Sequence, residues 1–523
     1  MRLLFFPKKE MRKNNLKINV IFNAAYQILI LFVSLVTTPY ISTVFTSDIV
    51  GSYSYAYSVS QYFSLAADFG FTMYGTAMIA QVRGKKEKET HLFWGIIYSK
   101  AILDAALILL YFILAFSGCF YNDNYPLNDF KIYLCLILPT IGYLVDTTFL
   151  FQGKEKFVSL CARNLILKVV CTILIFVLVK SPSDYLIYVL IMGLSYFLTG
   201  FVSMIGTPFL IGKPQKISTK ELGLHFKKSF AFFIPNIATC IYTIASKTLL
   251  GAIGGNSIQS GYFEQADKLV GVVVTIINSL STIIMSRMAY LYANKKYDEI
   301  KQKTNRVIQI YCLLSLPCFL GLLVVNDYLT LGFLGNNFEG SIDLVYILSL
   351  KILFTPAYGI IGSIYYIPNN DLRKRNVFLI IAAIFNLIAN SIMVHFLSAI
   401  GAAIASVLTE GLIFGLFWAG CRKKIDLQTL PREWIICLDA SLLMFITLVF
   451  SKEIILAFIS TCLVSMGIMS DRIIFFVSAA VISFLGLCIY GFFLLLFKEK
   501  FAVDILKTIR EKLKCLKKEK DQQ

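Results

Sequence analysis

Long apolar segments recur along the whole chain, and this feature leaves few possible folds. Fourteen such segments are separated by short stretches of charged and turn-forming residues within the 523 residues. Most exceed the roughly 18 to 20 residues that a helix needs to cross about 30 Å of hydrocarbon. Only 15% of the residues are charged, whereas about a quarter is usual in soluble domains. The chain is therefore predicted to be an all-α, polytopic membrane protein and neither a soluble enzyme nor a disordered chain.

The boundaries of the spans follow from the clusters of charged and turn-forming residues. The predicted spans are 18–44, 51–80, 92–117, 131–151, 157–179, 185–211, 229–253, 258–292, 307–325, 342–367, 377–397, 400–420, 434–456 and 472–497. The first follows a basic stretch, but it is too long for the apolar region of a signal peptide. We predict that it is retained as a membrane helix.

Positive charge alternates between the loops that join these spans. Lysine and arginine exceed the acids by 18, and 38 of the 49 positive residues lie at the two ends and in every second loop. Loops on the cytoplasmic side of a membrane carry the excess of lysine and arginine. The alternation predicts an even number of spans, both termini in the cytoplasm and the cytoplasmic membrane as location. Because topology accounts for the basic character, no nucleic-acid partner is expected.

Within the first twelve predicted spans, thirteen charged residues lie more than two residues from a span end. The cations are Lys100, Arg163, Lys168, Lys247, Lys268, Arg287 and Lys351, and the acids are Asp68, Asp104, Asp146, Glu264, Asp267 and Glu410. A single charge in lipid costs at least about 2.5 to 3.5 kcal/mol. This many charges predict a helix bundle with a polar interior that is shielded from lipid.

Short matching motifs suggest an internal repeat of six spans. Gly51 and Gly261 each open a span as part of a Gly-x-aromatic sequence, at an offset of 210 residues, and Arg163-Asn164 matches Arg375-Asn376 at an offset of 212. Six is an even number, so both copies have the same orientation. We predict an N-terminal lobe at 1–212, a C-terminal lobe at 213–421, and two extra helices with a basic cytoplasmic tail at 422–523.

Several motifs along the chain resemble those of bacterial polysaccharide or O-antigen flippases. These belong to the superfamily that also holds the multidrug and toxin extrusion transporters and the lipid II flippases. The similar segments are Thr38-Pro39-Tyr40, Asp68-Phe69-Gly70 before Ile79-Ala80-Gln81-Val82-Arg83, Phe151-Gln152-Gly153-Lys154, Phe233-Ile234-Pro235-Asn236, Gly261-Tyr262-Phe263, and Gly401-Ala402-Ala403 leading to Thr409-Glu410. The resemblance implies two six-helix lobes around a central cavity, two C-terminal helices, and export of a lipid-linked oligosaccharide of the undecaprenyl-phosphate type by alternating access.

In such a flippase the buried charges have an expected use. Cations can contact the phosphates of the lipid carrier, and acids can couple transport to a proton or sodium gradient. The candidate substrate-binding cations are Lys247, Lys351, Lys268, Lys168, Arg287 and Arg163, and the candidate coupling acids are Asp68, Asp146 and Glu410. No cofactor or metal is expected. Membrane lipids are expected partners, with other polysaccharide-assembly membrane proteins as further candidates.

The alternative for each charge is a structural ion pair inside the bundle. Lys100 and Asp104 are four residues apart on one helical face, as are Glu264 and Lys268, so each pair can neutralise locally. Lys247 and Lys351 have no acid three or four residues away, so any protein partner must come from another helix. Arg163 and Arg287 could instead extend to the cytoplasmic surface.

Two other classes of function remain open at this stage. A membrane-embedded polymerase or glycosyltransferase of polysaccharide assembly needs acids on sizeable outer loops, and the longest clear outer loop, 117–130, has about fourteen residues. An exporter of cationic drugs would need mainly anionic cavity residues, whereas seven cations lie in the spans. Both features favour transport of an anionic lipid over these alternatives.

Overall fold

The computed structural model describes residues 15–125, 127, 129–254, 256–422, 430–467, 469–499 and 503. Within these ranges the regular structure is helical and contains no β-strand, which confirms the all-α class. The basic residues before 15 and most of the predicted basic tail lie outside the described residues.

The described residues form seventeen α-helices. They are α1 (Asn15–Val44), α2 (Ser47–Asp68), α3 (Phe71–Val82), α4 (Lys86–Phe116), α5 (Phe130–Leu136), α6 (Leu138–Val145), α7 (Thr148–Gly153), α8 (Phe157–Leu178), α9 (Tyr185–Ile205), α10 (Thr219–Ala252), α11 (Ser257–Ala293), α12 (Tyr297–Leu334), α13 (Ser341–Leu348), α14 (Lys351–Ile361), α15 (Leu372–Cys421), α16 (Leu430–Ser465) and α17 (Asp471–Leu496). A π-helical turn, Gly362–Tyr366, extends α14. Each of the fourteen predicted spans overlaps one or more of these helices.

Many of these helices have the length and composition of membrane spans. Among the described residues, eight stretches qualify, or nine when the two parts of α10, bent by 52° between Ile234 and Asn236, are counted as one. Large apolar side chains on several helices are exposed, as expected where lipid covers them, for example Val177, Phe396, Phe450, Ile454 and Phe458. The chain is a multi-pass membrane protein. The count of fourteen spans stays a prediction, because short or polar helices such as α2 and α11 do not qualify on composition.

The 50 residues of α15 form a hairpin rather than one straight helix. Ser398 leaves the helical region with φ 48° and ψ −125°. The side chain of Asn386 donates to Thr409 Oγ1 at 2.9 Å, although 23 residues of straight helix would separate them by about 35 Å. A Cβ on Gly401 would lie 2.0 Å from the Met393 carbonyl oxygen. The chain therefore reverses at Ser398, where the sequence predicts a turn between two spans.

The second and fourth predicted spans are interrupted by breaks in the helix. Between α2 and α3 the chain passes through Phe69 and Gly70, both with positive φ. A Cβ on Gly70 would lie 2.7 Å from backbone atoms of Ser229 and Phe233, so only glycine fits at this approach. The fourth predicted span is divided into α5, α6 and α7. An acid stands at two of these three breaks, Asp68 at the end of α2 and Asp146 after α6.

Packing divides the chain into two compact units, Met1–Ala266 with Asn376–Thr409, and Asp267–Arg375 with Glu410–Gln523. In the first unit, α1 packs on α8, α9 on α6 and α8, α10 on α2 and α4, and α3 on α7. Buried aromatic residues, among them Phe71, Phe93 and Phe149, fill the space between α3, α4 and α7. This core fixes the position of α4, which carries two of the buried charges.

In the second unit, α12, α16 and α17 pack on one another, and α14 packs on α12. The contact of α12 with α17 is close, since a Cβ on Gly332 would lie 2.4 Å from the Phe476 backbone nitrogen. Buried apolar residues, including Met288, Ile308 and Ile360, connect α11, α12 and α14. The helices predicted as the last two spans thus belong to the packed part of this unit.

In the first unit, α2 and α11 cross at a pair of glycines. A Cβ on Gly51 would lie 1.8 Å from the Ser257 carbonyl oxygen, and a Cβ on Gly261 would lie 1.9 Å from the Ser47 carbonyl oxygen. Ser47 and Ser257 are the first residues of the two helices and, like the glycines, are 210 positions apart. Positions that are 210 residues apart in the two helices therefore contact each other reciprocally.

Candidate functional site

Lys247 forms an ion pair with an acid from another helix. Its Nζ, on α10, lies 2.8 Å from Glu264 Oε2 on α11. Ser54 Oγ, on α2, donates to the same oxygen at 2.8 Å. Glu264 is buried, whereas 21% of the Lys247 side chain is exposed. Three helices of the first unit thus converge on one carboxylate, and the lysine keeps accessible surface beside it.

Lys351 has a comparable partner in the second unit. It is the first residue of α14, and its Nζ donates to Asp267 Oδ1 of α11 at 3.0 Å. Its side chain is 15% exposed. The distant acids that the sequence required for Lys247 and Lys351 are therefore Glu264 and Asp267. Both acids come from α11, three residues apart, so this helix carries the counter-charge for both lysines.

Glu410 lies within the Lys351 cluster of the second unit. Its side chain is buried and is surrounded by Lys351, Asp267, Tyr358 and Thr355. One carboxylate oxygen, Oε2, has no hydrogen-bond partner among the described residues. The cluster therefore contains two acids and one lysine, so the acids are in excess. Protonation of Glu410, or a bound cation, would relieve the repulsion between the two acids.

The other candidate cations lie in different surroundings. Lys168 Nζ is 5.8 Å from the centre of the Tyr196 ring, and Arg163 lies 5.4 Å from the Phe151 ring and donates to Asn164 Oδ1. Arg287 is half-exposed and pairs with Glu299 at 3.2 Å. Lys268 is partly exposed and directly follows Asp267 on α11. Among these six candidate cations, Lys247 and Lys351 thus form ion pairs of 2.8 and 3.0 Å with intramembrane acids, and Lys268 is adjacent in sequence to one of these acids.

Asp68 and Asp146 accept hydrogen bonds at the helix breaks. Asp68 accepts hydrogen bonds from the backbone nitrogen and the hydroxyl of Thr72 at the start of α3. Asp146 accepts from the backbone nitrogen and hydroxyl of Thr148 and from Ser203. Carboxylate acceptors of this kind satisfy the free backbone N–H groups at the start of a following helix. Both candidate coupling acids therefore have a structural task at a break in the chain.

Lys100 and Asp104 do not form the local pair expected from their spacing. Lys100 Nζ donates instead to the backbone carbonyl oxygen of Asp146 at 3.0 Å. Both carboxylate oxygens of Asp104 are without a hydrogen-bond partner among the described residues. The spacing of four residues places the two side chains on one face of α4. The lysine nevertheless donates to the Asp146 carbonyl oxygen, which follows the end of α6, rather than to Asp104.

A row of tyrosines is a further polar feature, which the sequence analysis did not identify. The rings of Tyr53 and Tyr57 on α2 stack with centroids 5.5 Å apart, and Tyr57 donates to the Tyr196 hydroxyl at 2.8 Å. Tyr53 also contacts Tyr188 edge to face. The spacing of four residues between Tyr53 and Tyr57 was the available signal, since it places both rings on one face of a helix.

In the ranges that the structure describes, no three His, Cys, Asp or Glu side chains are arranged to hold a metal ion. The polar groups described above are instead ion pairs, buried acids and aromatic hydroxyls, which are suited to binding and to proton movement.

Comparison with known proteins agrees with the expected family. The model of a family described as polysaccharide biosynthesis protein matches residues 16–287, just over half of the chain. A protein of Escherichia coli (strain K12) described as an O-antigen transporter is 24% identical over 411 residues, which are 77% of this chain and 96% of that protein. A Shigella dysenteriae protein with the same description is 25% identical over 415 residues, covering 77% of this chain and 98% of that protein.

The fold has a solved counterpart. A structure of the lipid II flippase MurJ in an inward closed conformation matches with a TM-score of 0.70 over 94% of this chain and 99% of that chain, at 15% identity. At this identity the likeness concerns the fold alone. Together with the family match, these findings confirm the resemblance inferred from the motifs, and the chain belongs to the polysaccharide biosynthesis protein family.

Proposed function

We propose that this protein flips lipid-linked oligosaccharide units, with a carrier of the undecaprenyl-phosphate type, across the cytoplasmic membrane for polysaccharide export. The observation that carries the proposal is that Lys247 and Lys351 keep 21% and 15% of their side chains exposed within ion pairs inside the spans. An isolated cation at this depth is costly. An ion pair with accessible surface holds the cation until an anionic ligand takes over the role of its acid partner.

The relatives support a transporter rather than an enzyme. The two bacterial relatives are described as O-antigen transporters and match over nearly their whole length. Among the tyrosines of the first unit, Tyr196 fits the sugar part of such a cargo, because an exposed aromatic face and hydroxyl can pack on and hydrogen-bond to a glycan. Tyr196 is 42% exposed and supplies both.

The phosphate and the lysines define a simple exchange. When the phosphate of the carrier approaches, Nζ of Lys247 or Lys351 can donate to a phosphate oxygen instead of to Glu264 or Asp267. Release on the other side restores the protein ion pair. The acid partners therefore keep the lysines paired when the substrate is absent, and they compete with the substrate so that it is bound reversibly.

Coupling to an ion gradient, proton or sodium, is part of the proposal. Among the acids expected from the sequence, Asp68 and Asp146 have donors at helix breaks, and Glu410 has an oxygen without a partner among the described residues. Glu410, in the second unit, therefore has a better geometry for binding an ion than Asp68 or Asp146. Movement of Asp68 or Asp146 would instead change a helix break.

The orientation follows from the charge alternation in the loops, with both termini in the cytoplasm. In this orientation the substrate enters from the cytoplasmic leaflet, where lipid-linked units are made, and leaves on the outer face. Other polysaccharide-assembly membrane proteins that use the flipped unit are candidate partners on that face.

The test uses purified protein in liposomes that contain a lipid-linked oligosaccharide with a labelled sugar. Flipping is measured as the fraction of label that becomes accessible to a membrane-impermeant reagent, and glycan chain length is measured in parallel. We expect movement of the label without chain lengthening. Lengthening would assign the protein to the polymerases, and export of a small cation without movement of the lipid would assign it to the drug exporters.

A further inference from the structure

Asp104 is the most completely enclosed acid in the first unit among the residues that the structure describes. It lies in the interior of α4, its side chain is 0% exposed, and neither carboxylate oxygen has a hydrogen-bond partner among the described residues. A fully enclosed carboxylate that accepts no hydrogen bond from these residues is strongly unfavourable, whereas a protonated carboxyl group is tolerated at such a place. The surroundings therefore favour an Asp104 that carries a proton.

The groups around Asp104 have definite partners. Lys100, one turn earlier on α4 and also 0% exposed, donates to the Asp146 carbonyl oxygen at 3.0 Å. Asp68 from the end of α2 accepts from Thr72, and the Asp146 carboxylate accepts from Thr148 and Ser203. Tyr143 on α6 is a further titratable neighbour of Asp68 and Asp146, and Cys240 on α10 is one of Asp68.

We propose that Asp104 is a proton-binding site of the transport cycle, and that Lys100 responds to the proton by moving between the Asp146 carbonyl oxygen and the Asp104 carboxylate. This inference rests on the proposed flippase function and names its coupling ion. From the sequence, a structural pair with Lys100 was one interpretation of Asp104.

The exchange follows from charge and distance. With the proton bound, Asp104 is neutral, and Lys100 donates to the Asp146 carbonyl oxygen. When the O–H bond of Asp104 breaks and the proton passes to water, the cluster gains one negative charge, and no other covalent bond changes. Lys100 is four residues away on the same helical face and is the cation within reach on that helix. Its ammonium group then moves to Asp104.

The movement of Lys100 has a consequence for the backbone. The Asp146 carbonyl lies between α6 and α7, at the break in the fourth predicted span. When Lys100 leaves, this carbonyl oxygen loses its donor at a point where the helix is already interrupted. Breaks of this kind are where helices bend. Loss of the proton is thereby linked to bending of the fourth span, which is a step suited to alternating access.

The first experiment measures transport of the labelled lipid-linked oligosaccharide in liposomes under a pH difference, with a pH-sensitive dye reporting proton flux. One proton per cycle changes the attainable distribution of substrate tenfold for each pH unit, since one unit is a tenfold difference in proton activity. We expect this dependence and a substrate-linked proton flux in the unaltered protein. In Asp104→Asn both should be lost, because the amide imitates the neutral acid permanently. Asp123→Asn, an exposed acid in a loop, is the matched control and should keep both.

The outcomes separate this inference from the proposed function. If the unaltered protein moves no lipid under any gradient, the proposed function fails. If it moves lipid with a sodium dependence and no proton flux, or if Asp104→Asn keeps the tenfold response per pH unit, the function stands and the proton site is wrong.

A second measurement does not depend on transport. Infrared difference spectra of the purified protein should contain a band of a protonated carboxyl group at neutral pH that disappears in Asp104→Asn and shifts in Asp104→Glu. The thermal unfolding midpoint of each variant shows whether it is folded. Absence of the band in the unaltered protein at neutral pH, which needs no variant at all, would overturn the proposal.

Discussion

Ser54 and Glu264 are joined by a hydrogen bond of 2.8 Å, and they occupy the same position in two helices that are 210 residues apart in sequence. Each is the eighth residue of its helix, α2 or α11. The contact therefore lies beside the crossing of Gly51 and Gly261. Like that crossing, it joins α2 and α11. The two copies differ here in chemistry, because one position holds a hydroxyl and the other a carboxylate. That difference gives Lys247 an acid to pair with.

Substitution at the glycine crossing should separate α2 from α11. In Gly261→Ala the new Cβ would meet the Ser47 carbonyl oxygen at 1.9 Å, where ordinary contacts are 3.4–4 Å. Backbone atoms on both sides cannot rotate away, so we expect a loss of about 1–3 kcal/mol of stability, as for other overpacked sites. The measurement is the thermal unfolding midpoint of purified protein.

Gly271→Ala is the matched control for this prediction. Gly271 lies on the same helix, and its Cβ would meet no atom within 4 Å. This variant should be neutral or more stable by up to about 1 kcal/mol, because alanine favours a helix over glycine. Equal midpoints for the two variants would mean that the crossing is not a tight contact.

The ion pair of Lys247 and Glu264 should behave as a buried pair. In Lys247→Ala the buried Glu264 loses its cation, and we expect a loss of about 3 kcal/mol of stability. The double variant Lys247→Ala with Glu264→Ala should recover most of this loss, because no unpaired charge remains. Unfolding midpoints of the single and double variants give the coupling between the two side chains.

Flipping by the same double variant tests the role of Lys247 toward the substrate. If Lys247 binds phosphate, the double variant should fold and insert normally, yet flip less lipid per molecule. Lys247→Arg should keep part of the activity, since the charge remains. Normal flipping per molecule in the double variant would leave Lys247 with a structural role only.

The fold could be predicted largely from the sequence because membrane helices must satisfy their backbone hydrogen bonds internally. Long apolar segments therefore became helices, and the turn at 398–399 separates the two arms of α15 as expected. The breaks at Asp68 and Asp146 were not predicted, since they depend on contacts that apolar composition does not encode. The close approach of Gly70 to Ser229 and Phe233, for example, comes from α10.

The partners of the buried charges were harder to predict. Helical spacing reveals only neighbours on the same helix, so it suggested the pair of Lys100 with Asp104. The structure gives Lys100 a backbone carbonyl from another helix instead. For Lys247 and Lys351 the absence of a local acid correctly indicated a distant partner, but the identity of Glu264 and Asp267 requires the packing of α11.

Removal of Lys351 should be more damaging than removal of its acid partner. In Lys351→Ala both Asp267 and the buried Glu410 lose their cation and repel each other, whereas in Asp267→Asn the lysine keeps Glu410 as a neighbour. We therefore expect a lower unfolding midpoint for Lys351→Ala. Adding Glu410→Gln to Lys351→Ala should raise the midpoint again, because one of the two acids becomes neutral. Lys216→Ala, at an exposed lysine, is the control, and failure of Glu410→Gln to rescue would argue against the cluster.

The topology can be tested by labelling single cysteines in intact cells with a membrane-impermeant thiol reagent. Positions 124, 337 and 302 are all exposed in the structure, so that accessibility to the reagent depends on the side of the membrane rather than on burial. The charge alternation places Asn124 and Asn337 outside and Gln302, near the start of α12, on the cytoplasmic side.

Cysteines introduced at 124 and 337 should react in intact cells, and a cysteine at 302 should react only after the membrane is permeabilised. The native Cys119 is exposed and close to Asn124 in sequence, so it should itself react from outside, and it must be replaced by serine in the background used for the three sites. Labelling of this native cysteine before the replacement, and its loss afterwards, serves as the internal control. Reaction at 302 in intact cells would place this basic region outside the cell. That result would contradict the predicted orientation and the entry of the substrate from the cytoplasmic leaflet.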